Sequence, residues 1–200
     1  KAYLKVLRTT GFFSVPVAGL ICFFARDFVS LFMSEQWLEM VPAVQILGIF
    51  GMVRSLGSTR GPIYRAMGKP KINLWLQVLR VAILAAFIYP LTRSFGITGT
   101  STAIVVTSIV SQPFGIFILS KLTNMKLWTS VYPLFFPICA TLFSCFISFI
   151  FISVFSLNVL NFILSVLIFI NSYLIIVCLF SRHYNIKSIM KVFSGIMYKD

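Results

Sequence analysis

Six apolar stretches of roughly twenty residues, with the cations between them gathered on every second connection, limit what this chain can fold into. The pattern is that of a polytopic membrane protein, in which hydropathy sets the spans and Lys and Arg set their orientation. The spans are expected at about Gly11 to Met33, Pro42 to Arg65, Ile72 to Thr92, Ile97 to Leu122, Pro133 to Phe155 and Val159 to Phe180. Lys1, Lys5 and Arg8 precede the first, and Arg65, Lys69 and Lys71 separate the second and third. Lys121 and Lys126 separate the fourth and fifth, and Arg182, Lys187, Lys191 and Lys199 follow the sixth. Those twelve cations fall on one side, against Arg93 alone on the other, so both termini are expected in the cytoplasm.

A mean hydropathy of +0.99 excludes an ordinary soluble domain, because 200 residues have no core large enough to hide that much apolar surface. The expected class is an all-α, polytopic membrane helix bundle of about six transmembrane helices. A formal charge of +13 would suggest nucleic acid in a soluble protein, but here the cations flank spans and meet membrane lipids, so no nucleic-acid partner is expected. Cys22, Cys139, Cys145 and Cys178 all lie inside spans without ligand spacing, so neither disulfides, a metal nor a cofactor is expected. The chain opens on Lys1 without the layout of a cleavable signal, and reads as a piece of a longer protein.

The first four spans are dotted with Gly, Pro, Ser, Thr and Arg, while the last two carry no charge and are rich in Phe, Ile and Leu. The first four are therefore expected to build a site and the last two mostly to face lipid, with Asn171 making an interhelical hydrogen bond. Ile186, Ile189, Met190, Phe193, Ile196 and Met197 recur at helical spacing, which predicts an amphipathic helix on the inner leaflet, the alternative being a disordered basic tail. Trp37, Trp75 and Trp128 lie near span ends as interfacial anchors. Glu35 and Glu39 fit a solvated outer turn or one face of a short outer helix.

Four of the 17 cations, Arg26, Arg54, Arg60 and Arg80, fall inside predicted spans. Arg54 and Arg80 sit within roughly 3 Å of their span centres, Arg26 about 6 Å outward and Arg60 about 9 Å toward the cytoplasm. Each central arginine costs about 2.5 to 3.5 kcal/mol to insert, so the four together cost on the order of 10 kcal/mol and demand compensation. Asp27 is the one acid at membrane depth, beside Arg26, and the pair is a candidate ion pair or coupling site. The other arginines must meet acids from a missing part of the protein, water in a cavity, or an anionic substrate. Gly57, Ser58, Thr59, Arg60, Gly61 and Pro62 add a predicted helix break, since Pro62 removes a backbone hydrogen bond and clashes with the carbonyl of Ser58. Gln45, Gln77 and Gln112 offer either hydrogen bonding to sugar hydroxyls or ordinary helix contacts.

The runs Arg26-Asp27-Phe28-Val29, Val44-Gln45-Ile46-Leu47, Gly61-Pro62-Ile63-Tyr64-Arg65-Ala66-Met67-Gly68-Lys69-Pro70 and Phe95-Gly96-Ile97-Thr98-Gly99, in that order and placement, resemble the C-terminal part of the bacterial polysaccharide transporters. These are the oligosaccharide-lipid flippases of the multidrug and polysaccharide exporter superfamily. The resemblance covers residues 1–125, four spans of a C-terminal lobe; 126–181 would be two additional lipid-facing spans, and 182–200 a cytoplasmic amphipathic tail. It implies a partial flippase fold of the multidrug-exporter type, completed by a missing N-terminal lobe of the same protein. The implied substrate is an undecaprenyl-pyrophosphate-linked oligosaccharide, crossing the bacterial inner membrane for O-antigen, lipopolysaccharide, capsule or exopolysaccharide assembly. Arg54, Arg60 and Arg80 are the candidate substrate-binding residues, because guanidinium groups hold phosphate oxygens through several donors.

A membrane enzyme would call for acids for a metal or for proton transfer, and this chain offers one intramembrane acid and the lone His183, so no catalytic residue and no enzyme is expected. A glycan polymerase or ligase, which uses arginines but carries a large outer loop, a drug exporter of the same superfamily, and an inactive fragment are the alternatives.

Overall fold

The computed structural model describes residues 2–123, 127–155 and 158–179, with side chains at 3–123, 132–155 and 158–179. The described residues form helices and short connections: α1 (Ala2–Phe32), a 3₁₀ turn (Glu35–Met40), α2 (Val41–Ser58), α3 (Arg60–Ala66), α4 (Pro70–Thr123), α5 (Leu127–Val154) and α6 (Val159–Leu179). Among them five helical stretches are long and apolar enough to cross a membrane, with Glu35–Ala66 acting as one. The chain is an all-α, multi-pass membrane bundle. The helix expected over 186–197, Trp128's side chain and His183 lie outside the described residues.

The 54 residues of α4 are too many for one crossing of a hydrocarbon core about 30 Å thick. They fold back at Gly96, whose φ of 57° and ψ of −131° interrupt the helix and favour a residue without a Cβ. The Thr92 and Thr100 hydroxyls then lie 2.8 Å apart, a contact that eight residues of continuous helix, about 12 Å, would forbid. A Cβ on Gly99 would strike the carbonyl of Leu91, so Gly99 lets the limbs 70–95 and 97–123 close on each other. Five helical stretches thus give six passes, as the hydropathy pattern predicts.

α1 is the common partner, packing against α2, α5 and α6. Its Gly11 and Gly19 face Leu134 and Thr141 of α5, with Leu134 Cδ2 2.7 Å from the place a Gly11 Cβ would occupy. Small residues let backbones approach in lipid, where apolar surface alone does not drive helices together. Toward α2, the Gln45 side-chain amide donates to the Cys22 carbonyl at 2.7 Å while Cys22 Sγ donates to the Gln45 carbonyl at 3.2 Å. Gln45 is therefore a helix contact. The N-terminus of α1 begins nine residues before the expected span, so Lys5 and Arg8 ride on helix instead of on a leading coil.

α5 and α6 meet along Ser144, Ser148 and Ser165, all wholly buried, with Ser148 Oγ donating to the Ser165 carbonyl at 3.4 Å. Their other faces expose Phe143, Phe146, Phe149, Leu164 and Leu167. Among the described residues Asn171 makes no interhelical bond: it is exposed and its amide donates to the Leu167 carbonyl of its own helix at 2.9 Å, the ordinary fate of a polar side chain that a helix carbonyl can reach four residues back. The cross-helix bond comes from Tyr173, whose hydroxyl donates to the Phe12 carbonyl at 2.8 Å. Glu35 and Glu39 are both exposed on the 3₁₀ turn, where a three-residue period puts positions four apart on different faces.

Candidate functional site

α2 does not continue into α3. The helix stops at Ser58, Thr59 makes a single turn residue, and Arg60 starts a new seven-residue helix. Pro62 lies in the first turn of α3, where its missing N–H leaves the Ser58 carbonyl without its helical donor. The hydroxyls of Ser58 and Thr59 turn back onto the carbonyls of Ser55 and Leu56 at 2.7 and 2.9 Å, which favours a turn over a continuing helix.

That interruption sets Arg60 against the second limb of α4. Arg60 is 7% exposed; one guanidinium nitrogen donates to the Gln112 carbonyl at 3.0 Å and the other to the Gln112 side-chain oxygen. The Gln112 amide in turn donates to the Val53 carbonyl of α2 at 2.7 Å. Below this clasp the Tyr64 hydroxyl, on a side chain only 1% exposed, donates to the Gly115 carbonyl at 2.8 Å. A Cβ at Gly115 would strike the Arg60 guanidinium, and one at Gly57 the Gln112 amide, so both glycines are demanded by close approach. Glycine here is a matter of space, since neither has a positive φ.

The clasp forms one wall of a cavity of about 400 Å³. Arg54 of α2, Arg60 and Arg65 of α3 and Arg80 of α4 line it with Gly57, Gly61, Pro62, Asn73 and Gln77, and no acid is among the described lining residues. Two of the four cations are less engaged than Arg60. Arg80 Nε is buried without a hydrogen-bond partner among the described residues, and Arg54 is exposed with its guanidinium carbon 5.7 Å from the Phe50 ring centroid. A low-dielectric wall magnifies the potential that such unpaired cations create, so the cavity is an attractive site for an anion.

Arg54, Arg60 and Arg80, the candidates named from their place inside spans and the phosphate chemistry that the resemblance implies, thus share one cavity with Gly57, Gly61 and Pro62. Arg26 and Asp27 do not line it. They sit on α1, with Arg26 exposed and Asp27 half-buried, beside Ala25 and Val29, which pack on Val41 at the other end of α2. Sequence reasoning missed Tyr64, Arg65 and Gly115. Arg65 is counted among the flanking cations because it closes its span, and Tyr64 carries no mark that separates it from the other aromatic residues.

The family model of the polysaccharide biosynthesis proteins matches residues 1–42, about a fifth of the chain. A membrane protein of Klebsiella pneumoniae, described as uncharacterized and lying in the cps region, is 25% identical over 119 residues, which are 60% of this chain and 24% of that protein. The lipopolysaccharide biosynthesis protein WzxC of Escherichia coli K12 is 22% identical over the same length, with the same shares. Over these stretches the chain is similar to bacterial polysaccharide biosynthesis membrane proteins. The resemblance to the polysaccharide transporter family, carried by short motifs in the sequence, is borne out by these matches. The chain spans about a quarter of the length of the curated relatives it matches. No solved structure matches it.

Proposed function

We propose that this polysaccharide biosynthesis membrane protein is part of a flippase, and that its arginine cavity receives the pyrophosphate of an undecaprenyl-linked oligosaccharide. One observation carries the reading: four guanidinium groups converge on a cavity between apolar helices, with no acid among its described lining residues. A pyrophosphate crossing a bilayer must exchange its hydration for other donors. Arginines supply planar, multidentate donors and a charge that persists through the physiological range.

The arginines divide the work. Arg60, engaged by Gln112, holds α3 to α4 and fixes the cavity wall; Arg54 and Arg80 offer donors to the ligand. The break before α3 supplies the joint about which that wall moves between two openings, as irregular backbone in transporters does where it borders a cavity. In this reading the protein transports and is not an enzyme, it lies in the inner membrane with both ends in the cytoplasm, and a further lobe completes the path.

The test is export by the complete protein in a flippase-deficient bacterium. Arg54→Gln and Arg80→Gln, at matched membrane abundance, should each depress surface glycan at least about tenfold, the equivalent of one lost charged hydrogen bond. Normal export by both variants would overturn the reading.

A further inference from the structure

A second depression runs between α1 and α2, apolar where the first is cationic. It is an open groove of about 420 Å³ with Val17 and Ile21 of α1 on one wall, Leu47 and Met52 of α2 on the other, and Gly48 and Gly51 along its floor. At Gly48 the helices touch, since an added Cβ would lie 3.0 Å from Ile21 Cγ2. At Gly51 they do not: nothing lies within 4 Å of an added Cβ, so the groove is open there.

The register of α2 ties this groove to the cavity. Leu47 and Gly51 line the groove, while Arg54 and Ser58, seven residues further on, line the cavity. Seven residues are two turns less about 20°, so each pair lies on nearly one line along the helix, about 10 Å apart. The groove and the cavity therefore adjoin along one edge line of α2, with Gly48 and Met52 turned to one side of it and Gly57 to the other, and that edge changes from hydrocarbon to guanidinium within two turns. That sequence of surfaces complements an amphiphile with an anionic head and a long apolar tail; a free anion would leave the groove unused, and a neutral lipid would leave the arginines unpaired.

We propose that the α1–α2 groove receives the first part of the polyisoprenoid chain of the lipid whose pyrophosphate lies in the arginine cavity. The proposal rests on the reading of that cavity as an anion site. Head and tail are then read by one helix, and the cavity distinguishes a lipid-linked phosphate from a soluble one.

The test uses the complete purified protein in nanodiscs, with undecaprenyl pyrophosphate and inorganic pyrophosphate as the two probes. Gly51→Leu extends a side chain into the groove from a point where an added Cβ has nothing within 4 Å. It should weaken undecaprenyl pyrophosphate about tenfold, by displacing a few buried methylenes, and leave inorganic pyrophosphate unchanged. Gly51→Ala should change neither by more than about twofold. Equal weakening of both probes by Gly51→Leu, or no weakening of either, overturns the proposal, the second being the result if a neighbouring helix covers the groove. A diazirine near the head of the polyprenyl chain should label the peptide around Gly51. Equal labelling by a diazirine phosphatidylglycerol, meaning bulk lipid fills the groove, overturns it as well. The anion reading has its own control: if inorganic pyrophosphate binds no differently to Arg54→Gln/Arg80→Gln, the cavity reading fails, whatever the chain labels.

Discussion

Gln112 decides how Arg60 behaves. A carboxylate at that position would form an ion pair and cancel the charge; an amide accepts the same hydrogen bonds and leaves the charge in place. Gln112→Leu keeps the volume but removes the acceptor at the side-chain end, and leaves a buried guanidinium partly unsatisfied and the Val53 carbonyl without its donor. It should lower stability by about 2–3 kcal/mol, read as a drop in the midpoint of thermal aggregation in detergent, with Gln112→Glu, which returns an acceptor to Arg60 but no donor to Val53, recovering only part of the midpoint. A midpoint within a degree of the parent for Gln112→Leu would show that the clasp does not hold the bundle. The arginines themselves were legible in the sequence because charge inside an apolar span is expensive and conspicuous. In the sequence Gln112 reads equally as hydrogen bonding to sugar hydroxyls or as a helix contact, and only the geometry separates those, since both need the same amide at the same depth. Tyr64 and Gly115 are quieter still: one more aromatic ring and one more glycine in a membrane chain have no contrast with their surroundings.

At the scale of elements, the informative device is the interruption between α2 and α3. Proline in the first turn of a helix costs little, whereas in mid-helix it costs about 3 kcal/mol, so the chain gains by ending α2 before Pro62. Pro62→Ala should let a helical hydrogen bond form from residue 62 to the Ser58 carbonyl, joining α2 to α3. Amide hydrogen exchange in the peptide spanning 58–63 should then slow about tenfold, while the protein inserts normally. Unchanged exchange would place the cause of the break elsewhere, in the clasp or in the back-bonded Ser58 and Thr59. The spans were legible from hydropathy, and the turn at Gly96 from the short polar run before it. The pairing of α1 with α5 was not, because small-residue contacts leave only a weak trace: Gly11 and Gly19 matter for what touches them, and Leu134 and Thr141 are more than a hundred residues away in the chain. Asn171 drew attention as the main polar residue of its span, yet the bond that joins α6 to α1 belongs to Tyr173.

Over the whole molecule, the proposed orientation, with both ends in the cytoplasm, has a test that reads the turns from either side of the membrane. Gln36 lies on the 3₁₀ turn between α1 and α2, and Lys69 on the turn between α3 and α4; both are exposed. In a protein whose four native cysteines are replaced by alanine, Gln36→Cys should react with an impermeant maleimide on intact spheroplasts, and Lys69→Cys only on inverted vesicles. The opposite pattern would reverse the topology. At this scale the bundle has two unlike flanks: α5 and α6 seal against each other through serines and show aromatic rings outward, while α2, α3 and α4 enclose charge. The clasp on Arg60 has one more consequence, for energy coupling. Every charge among the described lining residues is a guanidinium held or faced by neutral groups, with no carboxylate or imidazole among them. In the flippase reading proposed above, the cavity is a fixed cationic surface, and proton coupling of the complete protein falls to groups other than these described lining residues.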